Sequence, residues 1–261
     1  MSDDDSERHQ RLAVSAAREA GALAMTYFGA DYAKWDKGKN NPVTEADVAV
    51  DQMLRQRLQA FSPGYGWLSE ESVDDNSRRT ARRVWVVDPI DGTRAFIRGQ
   101  PHFAVSIALL EDNRPVSAVI FNPATDELFE ASEGRSTLLN GAKVQVSAKG
   151  ELQDARMLAA QGLFQHKRWT NPWPSMHVES RNSIAYQVAL TAAGHFDGCM
   201  NLWGAYDWDL AAADLILRAA GGHITDHTGA ALRFNQETPR HPSIVAANPA
   251  LHGLLLGRLE A

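Results

Sequence analysis

The chain is poor in cysteine, in long apolar runs and in concentrated positive charge. Of its 261 residues only Cys199 is a cysteine. That excludes an internal disulfide and the Cys-rich zinc and iron–sulfur sites, and it suits a reducing cytoplasm. No window holds the roughly 18 consecutive apolar residues of a membrane-spanning helix, so no membrane partner is expected. The opening Met1-Ser2-Asp3-Asp4-Asp5 is acidic, the opposite of a secretory signal. Twenty-six Lys plus Arg against 32 Asp plus Glu give a net charge of −6 without a long basic run, so nucleic acid is not an expected partner. There is no internal repeat. Neither Gly-x-x-x-x-Gly-Lys-[Ser/Thr] nor Gly-x-Gly-x-x-Gly occurs, so an NTPase or dinucleotide reading lacks its phosphate cradle. The nine histidines never fall in a His-Glu-x-x-His pattern and read as surface or satisfied side chains. What remains, 44% hydrophobic and 22% charged, is the balance of a globular protein with a large core.

Periodicity supplies the elements. Leu12, Ala16, Ala20, Leu23 and Tyr27 recur every three or four residues and predict an amphipathic helix over Leu12–Phe28, after a frayed tail over residues 1–8. Lys34 to Pro42 reads as a loop. Thr44 opens a second helix with Val50, Leu54, Leu58 and Phe61 on one face, stopped by Ser62-Pro63-Gly64. Val84–Val87 is a buried strand. Phe103–Glu111 and Pro115–Phe121 form a hairpin, apolar on both faces and so buried between helical layers. Glu127–Ala131 and Ala142–Ser147 continue a meander. Beyond Gly150 strands at Met157–Ala160, His195–Leu202 and Ser243–Ala246 alternate with helices at Ile184–Ala193, Leu210–Ala220 and Pro249–Leu259. The fold class is α/β, a layered mixed fold, with a soft boundary dividing residues 1–150 from 151–261.

Four acidic segments carry the chemistry. Asp88-Pro89-Ile90-Asp91-Gly92-Thr93 follows a buried strand, where two carboxylates three residues apart can converge on one cation cluster. Gly92 permits an unusual backbone angle, and the amides of Gly92 and Thr93 can face an anion. The bland reading of the segment is an Asx-rich turn. Glu70-Glu71 reads either as a solvated pair or as carboxylates neutralised by a cation. Thr44-Glu45-Ala46-Asp47 matches a capping box. Asp207 or Asp209, beside Trp208, suits a helix N-cap or a metal ligand at a cleft.

Together, in this order and spacing, the segments resemble the inositol monophosphatase family, within the metal-dependent, lithium-sensitive sugar phosphatases. The resemblance covers nearly the whole chain, from Pro42–Asp47 through Ser69-Glu70-Glu71 and Trp85–Thr93 to Tyr206–Ala212 and Ala219–Gly222. It implies alternating αβαβα layers of the inositol monophosphatase and fructose-1,6-bisphosphatase type, and a homodimer. It implies Glu70, Asp88 and the Ile90 carbonyl as ligands of a first Mg²⁺, and Asp88, Asp91 and Asp209 as ligands of a second. A third ion would share Glu70, and Mn²⁺ is an alternative to Mg²⁺. Asp47 and Thr93 would orient and deprotonate the attacking water. Asp91, Gly92, Thr93, Asp209 and, at the rim, Arg181 would contact substrate. In-line attack would invert phosphorus without a covalent phosphoenzyme.

The implied activity is hydrolysis of a small phosphate monoester, by default inositol monophosphate. Tyr186, Tyr206 and Asp207 depart from inositol-specific members. Histidinol phosphate would want an acidic partner, for which Asp207 or Glu179 could serve. A 3′(2′),5′-bisphosphate nucleotidase would use Trp169 and Arg168. Some family members instead bind a transcription complex, so a non-catalytic interaction protein is the reading from another class. Residues 161–181, basic and aromatic, read as a surface excursion with apolar docking or as the rim selecting the alcohol. Cys199 reads as a small buried hydrophobe. Arg78-Arg79 and Arg82-Arg83 read as a solvated loop or a weak anion-steering patch.

Overall fold

A computed structural model describes every residue except 1, 2, 37, 39–41, 166, 168, 170, 260 and 261. Among the described residues there are six α-helices: α1 (Asp3–Tyr27), α2 (Glu45–Phe61), α3 (Thr93–Ile97), α4 (Ile184–Ala192), α5 (Asp207–Ala219) and α6 (Pro249–Leu259). A seven-stranded sheet runs in spatial order Gly66–Ser69, Arg83–Asp91, Ala104–Glu111, Arg114–Asn122, Glu127–Ser132, Leu138–Leu139 and Ala142–Lys143. Its first pair is parallel and the others are antiparallel. A five-stranded sheet runs His177–Glu179, Arg156–Ala159, Gly198–Asn201, Ile244–Ala247, His223–Thr225, with the first three strands parallel.

Strand alternation builds the layers, because successive side chains face opposite ways. Trp85, Val87, Val105, Ile107 and Val119 pack against Leu12, Ala16 and Ala20 of α1 and Val50 and Leu54 of α2. Val84, Val86, Ala108 and Ala118 face the other way, onto Val188 and Ala189 of α4 and Leu210 and Ile216 of α5. That second core continues to Leu158, Cys199 and Ala246 in the five-stranded sheet, so apolar packing crosses residue 150 without a break. Met157, Met200 and Val245 then pack on Leu251 and Leu255 of α6. The result is helix, sheet, helix, sheet, helix. The expected hairpin is the middle of the larger sheet. All of Ala104–Glu111 is buried, as is Arg114–Asn122 except Arg114. Asp112 and Asn113, both at positive φ, make its turn.

Several expectations are corrected. The tail is helical from Asp3: Asp3, Asp4 and Asp5 favour the positive end of the helix dipole, and Asp5 pairs with Arg83 at 2.8 Å. The supposed loop over Lys34–Pro42 contains half of an antiparallel pair, Lys34–Asp36 with Pro42–Thr44. The strand expected over His195–Leu202 is only Gly198–Asn201, and that over Ala142–Ser147 only Ala142–Lys143. Arg78 and Arg83 are not solvated. Arg78 is 1% exposed and bonds Asp74, Asn235 and the Gln236 carbonyl, while Arg83 bonds Glu111, Asp5 and Tyr65.

One irregularity creates the site. In the Arg83–Asp91 strand Asp88 pairs with Ser106 and Asp91 with Ala104, three steps against two. The extra residue is a β-bulge at Pro89-Ile90. In a regular strand, residues three apart point to opposite faces, and Asp91 would join Trp85 and Val87. The bulge brings it round to the face of Asp88, beneath the start of α5.

Candidate metal centre and active site

Asp88, Asp91 and Asp209 offer carboxylate oxygens that all lie within 4.8 Å of one another, and all three residues are buried. Each is anchored by the local backbone. Asp88 Oδ1 accepts the Ile90 N–H at 3.0 Å. Asp91 Oδ2 accepts from the Ser183 hydroxyl (2.6 Å) and the Ala185 N–H (2.7 Å), tying the start of α4 to the bulge. Asp209 Oδ2 accepts the Tyr206 N–H at 2.7 Å in the first turn of α5. The Ser106 hydroxyl, opposite Asp88 in the sheet, donates to the Trp208 carbonyl and holds that turn against the strand.

Asp88 Oδ2 is buried and has no hydrogen-bond partner among the described residues. Leaving a carboxylate oxygen so is costly unless something else satisfies it. Three converging hard oxygen donors and one orphaned oxygen fit a hard divalent cation such as Mg²⁺ or Mn²⁺. Without one, the cluster resists ionisation. Burial, then the charges of Glu70, Asp91 and Asp209, push Asp88 well above the ordinary carboxylate range. Burial, then Asp91 and Glu70, do the same to Asp209. Asp91 is raised by burial and Glu70 against the opposing bonds from Ser183 and Ala185.

Beside the cluster stands the expected pair. Thr93 Oγ1 lies 3.1 Å from Asp47 Oδ1 and 3.2 Å from the Ile90 carbonyl. The bland reading of Asp47 also holds: its Oδ2 accepts the Thr44 N–H at 2.7 Å, closing the capping box of α2. One carboxylate thus caps a helix with one oxygen and meets Thr93 with the other. Burial raises Asp47 to about 6, against the lowering bonds from Thr44 and Thr93. Gly92 has φ +97°, and a Cβ there would sit 2.7 Å from the His102 carbonyl, so no other residue fits.

Glu70 lies outside the tight group of three, half-buried just beyond the Gly66–Ser69 strand. Its charge still raises Asp47, Asp88, Asp91 and Asp209. Glu71 adds to the effect on Asp88. Asp51 escapes sequence reasoning. Its two oxygens accept from Ser69 and Ser72, on either side of Glu70-Glu71, and so shape that loop. The available signal is spacing, since Asp51 follows Asp47 by one helical turn.

At the rim, Arg181 bonds Glu179 at 2.6 Å and lies over the Phe196 ring, two residues before the Ser183 that holds Asp91. That pairing already occupies Glu179. Asp207 is withdrawn as a partner for a substrate ammonium: it is fully buried, with one oxygen on His241 (2.8 Å) and the other on the Asn235 N–H (2.7 Å). Trp169 packs on Trp173 above the α6 core, in keeping with apolar docking, whereas Arg168 lies outside the described residues. Cys199 is a core residue, its thiol pushed up to about 12 by burial. Among the described residues no helix is long and apolar enough to cross a membrane.

Comparison with known proteins agrees with this layout. An inositol-1-monophosphatase of Rhizobium meliloti is 36% identical over 203 residues, covering 74% of this chain and 75% of the relative. A protein of Escherichia coli named Nus factor SuhB is 34% identical over 261 residues, covering 95% and 94%. Among solved structures, the extragenic suppressor protein SuhB of Bartonella henselae superposes with a TM-score of 0.83 at 31% identity, covering 96% of this chain and 97% of that one. An IMPase of Thermotoga maritima gives 0.85 at 25% identity, covering 97% of each. The sequence profile of the inositol monophosphatase family matches residues 5–261, and with relatives of this identity and coverage the chain belongs to that family.

Proposed function

We propose that the protein is a Mg²⁺-dependent phosphomonoesterase acting on a small phosphorylated alcohol, by default inositol monophosphate. The observation that carries this reading is the convergence of Asp88, Asp91 and Asp209 around an orphaned buried oxygen. Bound Mg²⁺ would offset phosphate charge and lower the pKa of a water. The remaining work falls to the chain. Asp47, at about 6, is a carboxylate above neutrality and can draw the Thr93 proton toward itself. Thr93 has one proton and two acceptors, Asp47 and the Ile90 carbonyl. Donation to Asp47 leaves the Ile90 carbonyl to serve as a ligand with Glu70 and Asp88, and the Thr93 lone pairs to orient and accept from a water. Asp91, Gly92, Thr93, Asp209 and the rim residue Arg181 make the substrate contacts in this reading. The same reading carries the division at residue 150, the homodimer, lithium inhibition and a cytoplasmic site of action.

The test is phosphate release, with and without Mg²⁺, from inositol 1-phosphate, histidinol phosphate and 3′-phosphoadenosine 5′-phosphate. A lead of about a hundredfold in kcat/KM, roughly 2.7 kcal/mol, names the substrate. A second reading rests on the relatives named Nus factor SuhB: an interaction protein in which the site is not used for turnover. Metal-dependent release from none of the three esters would favour it.

A further inference from the structure

We propose that Arg78, Asn235, Asp207 and His241 form a positioning strut that fixes Asp209 relative to the Glu70 loop, and thereby sets cation affinity. The inference rests on the metal-site reading above. These residues are buried and bonded in series. Arg78 holds Asp74 through two nitrogens and donates to Asn235 Oδ1 at 2.6 Å. The Asn235 N–H donates to Asp207 Oδ2, and His241 meets Asp207 Oδ1 at 2.8 Å. Asn235 Nδ2 adds a bond to Asn113 at the turn of the central hairpin. Backbone pairing of Ala205–Tyr206 with Arg240–His241 fixes the same two segments in register.

The ends of the series are what matter. Asp74 and Arg78 belong to the segment that begins with Glu70, and Asp207 precedes Asp209 by two residues. Asp207 does not join the group of three carboxylates, and both its oxygens are committed elsewhere. Its chemistry is therefore structural, directed at the first turn of α5. A cation shared between Asp209 and ligands on the Asp88 strand needs that turn placed to within a few tenths of an ångström, and residues supporting ligands in this way typically alter metal affinity 10–100-fold when lost.

The test measures Mn²⁺ binding without substrate, following free Mn²⁺ by electron paramagnetic resonance on the whole chain. His241→Ala should weaken binding about tenfold. His241→Gln, whose amide nitrogen can still donate to Asp207, should recover most of the loss. Asn248→Ala removes buried bonds to the Ser147 and Lys149 carbonyls in another part of the fold and should leave affinity unchanged. Should His241→Ala fail to fold, Asn235→Gly replaces it, since glycine keeps the φ of 60° while cutting the bonds to Arg78 and Asn113. Equal weakening by His241→Ala and Asn248→Ala, or unchanged affinity in His241→Ala, overturns the strut. A wild-type protein that binds no Mn²⁺ overturns the metal-site reading itself.

Discussion

Replacing Asp88 by Asn should stabilise the metal-free protein while destroying its response to metal. Asp88 is 1% exposed, and the carboxylates around it lie within 4.8 Å. Two full charges at that separation repel by about 3 kcal/mol at an effective dielectric of about 20. Proton uptake by the raised carboxyls relieves part of this, leaving roughly 2 kcal/mol to be recovered at pH 8. Asn keeps the oxygen that accepts the Ile90 N–H and puts a donor where Oδ2 is orphaned. At about 2–4 °C per kcal/mol, the variant should melt roughly 4–8 °C above wild type in EDTA at pH 8. The gain should shrink at pH 5, where protons already neutralise the cluster. Mg²⁺ at a hundred times its dissociation constant should stabilise the wild type by about 2.7 kcal/mol and the variant by far less. Calorimetric melting with EDTA or Mg²⁺ at the two pH values reads all four states. A variant that melts below wild type in EDTA at pH 8, or that keeps the full Mg²⁺ increment, refutes the account of the cluster as like charges awaiting a cation.

Other expectations follow from the same geometry. Thr93→Ala and Asp47→Asn should each lower kcat by about 10²–10⁴-fold while leaving the Mg²⁺ dependence of melting in place, and a loss under tenfold would remove the pair from the chemistry. Turnover should fall as pH drops below about 6, where Asp47 takes up its proton, with Mg²⁺ beside Glu70 moving that limb to lower pH, and Asp47→Asn should erase it. Stability of the metal-free protein should run the other way. Asp47, raised from 3.8 to about 6 by burial, contributes stability that is complete below about pH 4 and lost as pH rises through about 6, so melting in EDTA should be higher at pH 5 than at pH 8. Gly92→Ala should cost at least about 1–2 kcal/mol for its left-handed backbone, with more for the approach to the His102 carbonyl, read as a drop in melting temperature.

Periodicity makes α1, α2 and the central hairpin legible, because each buries a face whose spacing is local. The candidate site is legible in residue types but not in arrangement. Asp88 and Asp91 stand out as carboxylates, yet the bulge that unites them depends on pairing with Ser106 and Ala104. Arg78 is the opposite case. A cluster of arginines reads as solvated, and burial becomes tolerable only when the Asp74 carboxylate four residues away combines with Asn235 and Gln236, 157 and 158 residues away. The short Gly66–Ser69 strand leaves little pattern in four residues, although it delivers Glu70. Thr44 and Asp47 make a capping box that still leaves one carboxylate oxygen of Asp47 to meet Thr93.

The bulge at Pro89-Ile90 makes this stretch sensitive to chain length rather than to side-chain identity. Deleting either residue would match the two strands step for step and leave both aspartates on one face, but it would abolish the bend that sets the Ile90 N–H on Asp88 and the Ile90 carbonyl beside Thr93. A substitution at position 89 or 90 leaves the count intact and the two aspartates on one side. Drift among related chains should therefore tolerate exchanges at these two positions and almost never gaps.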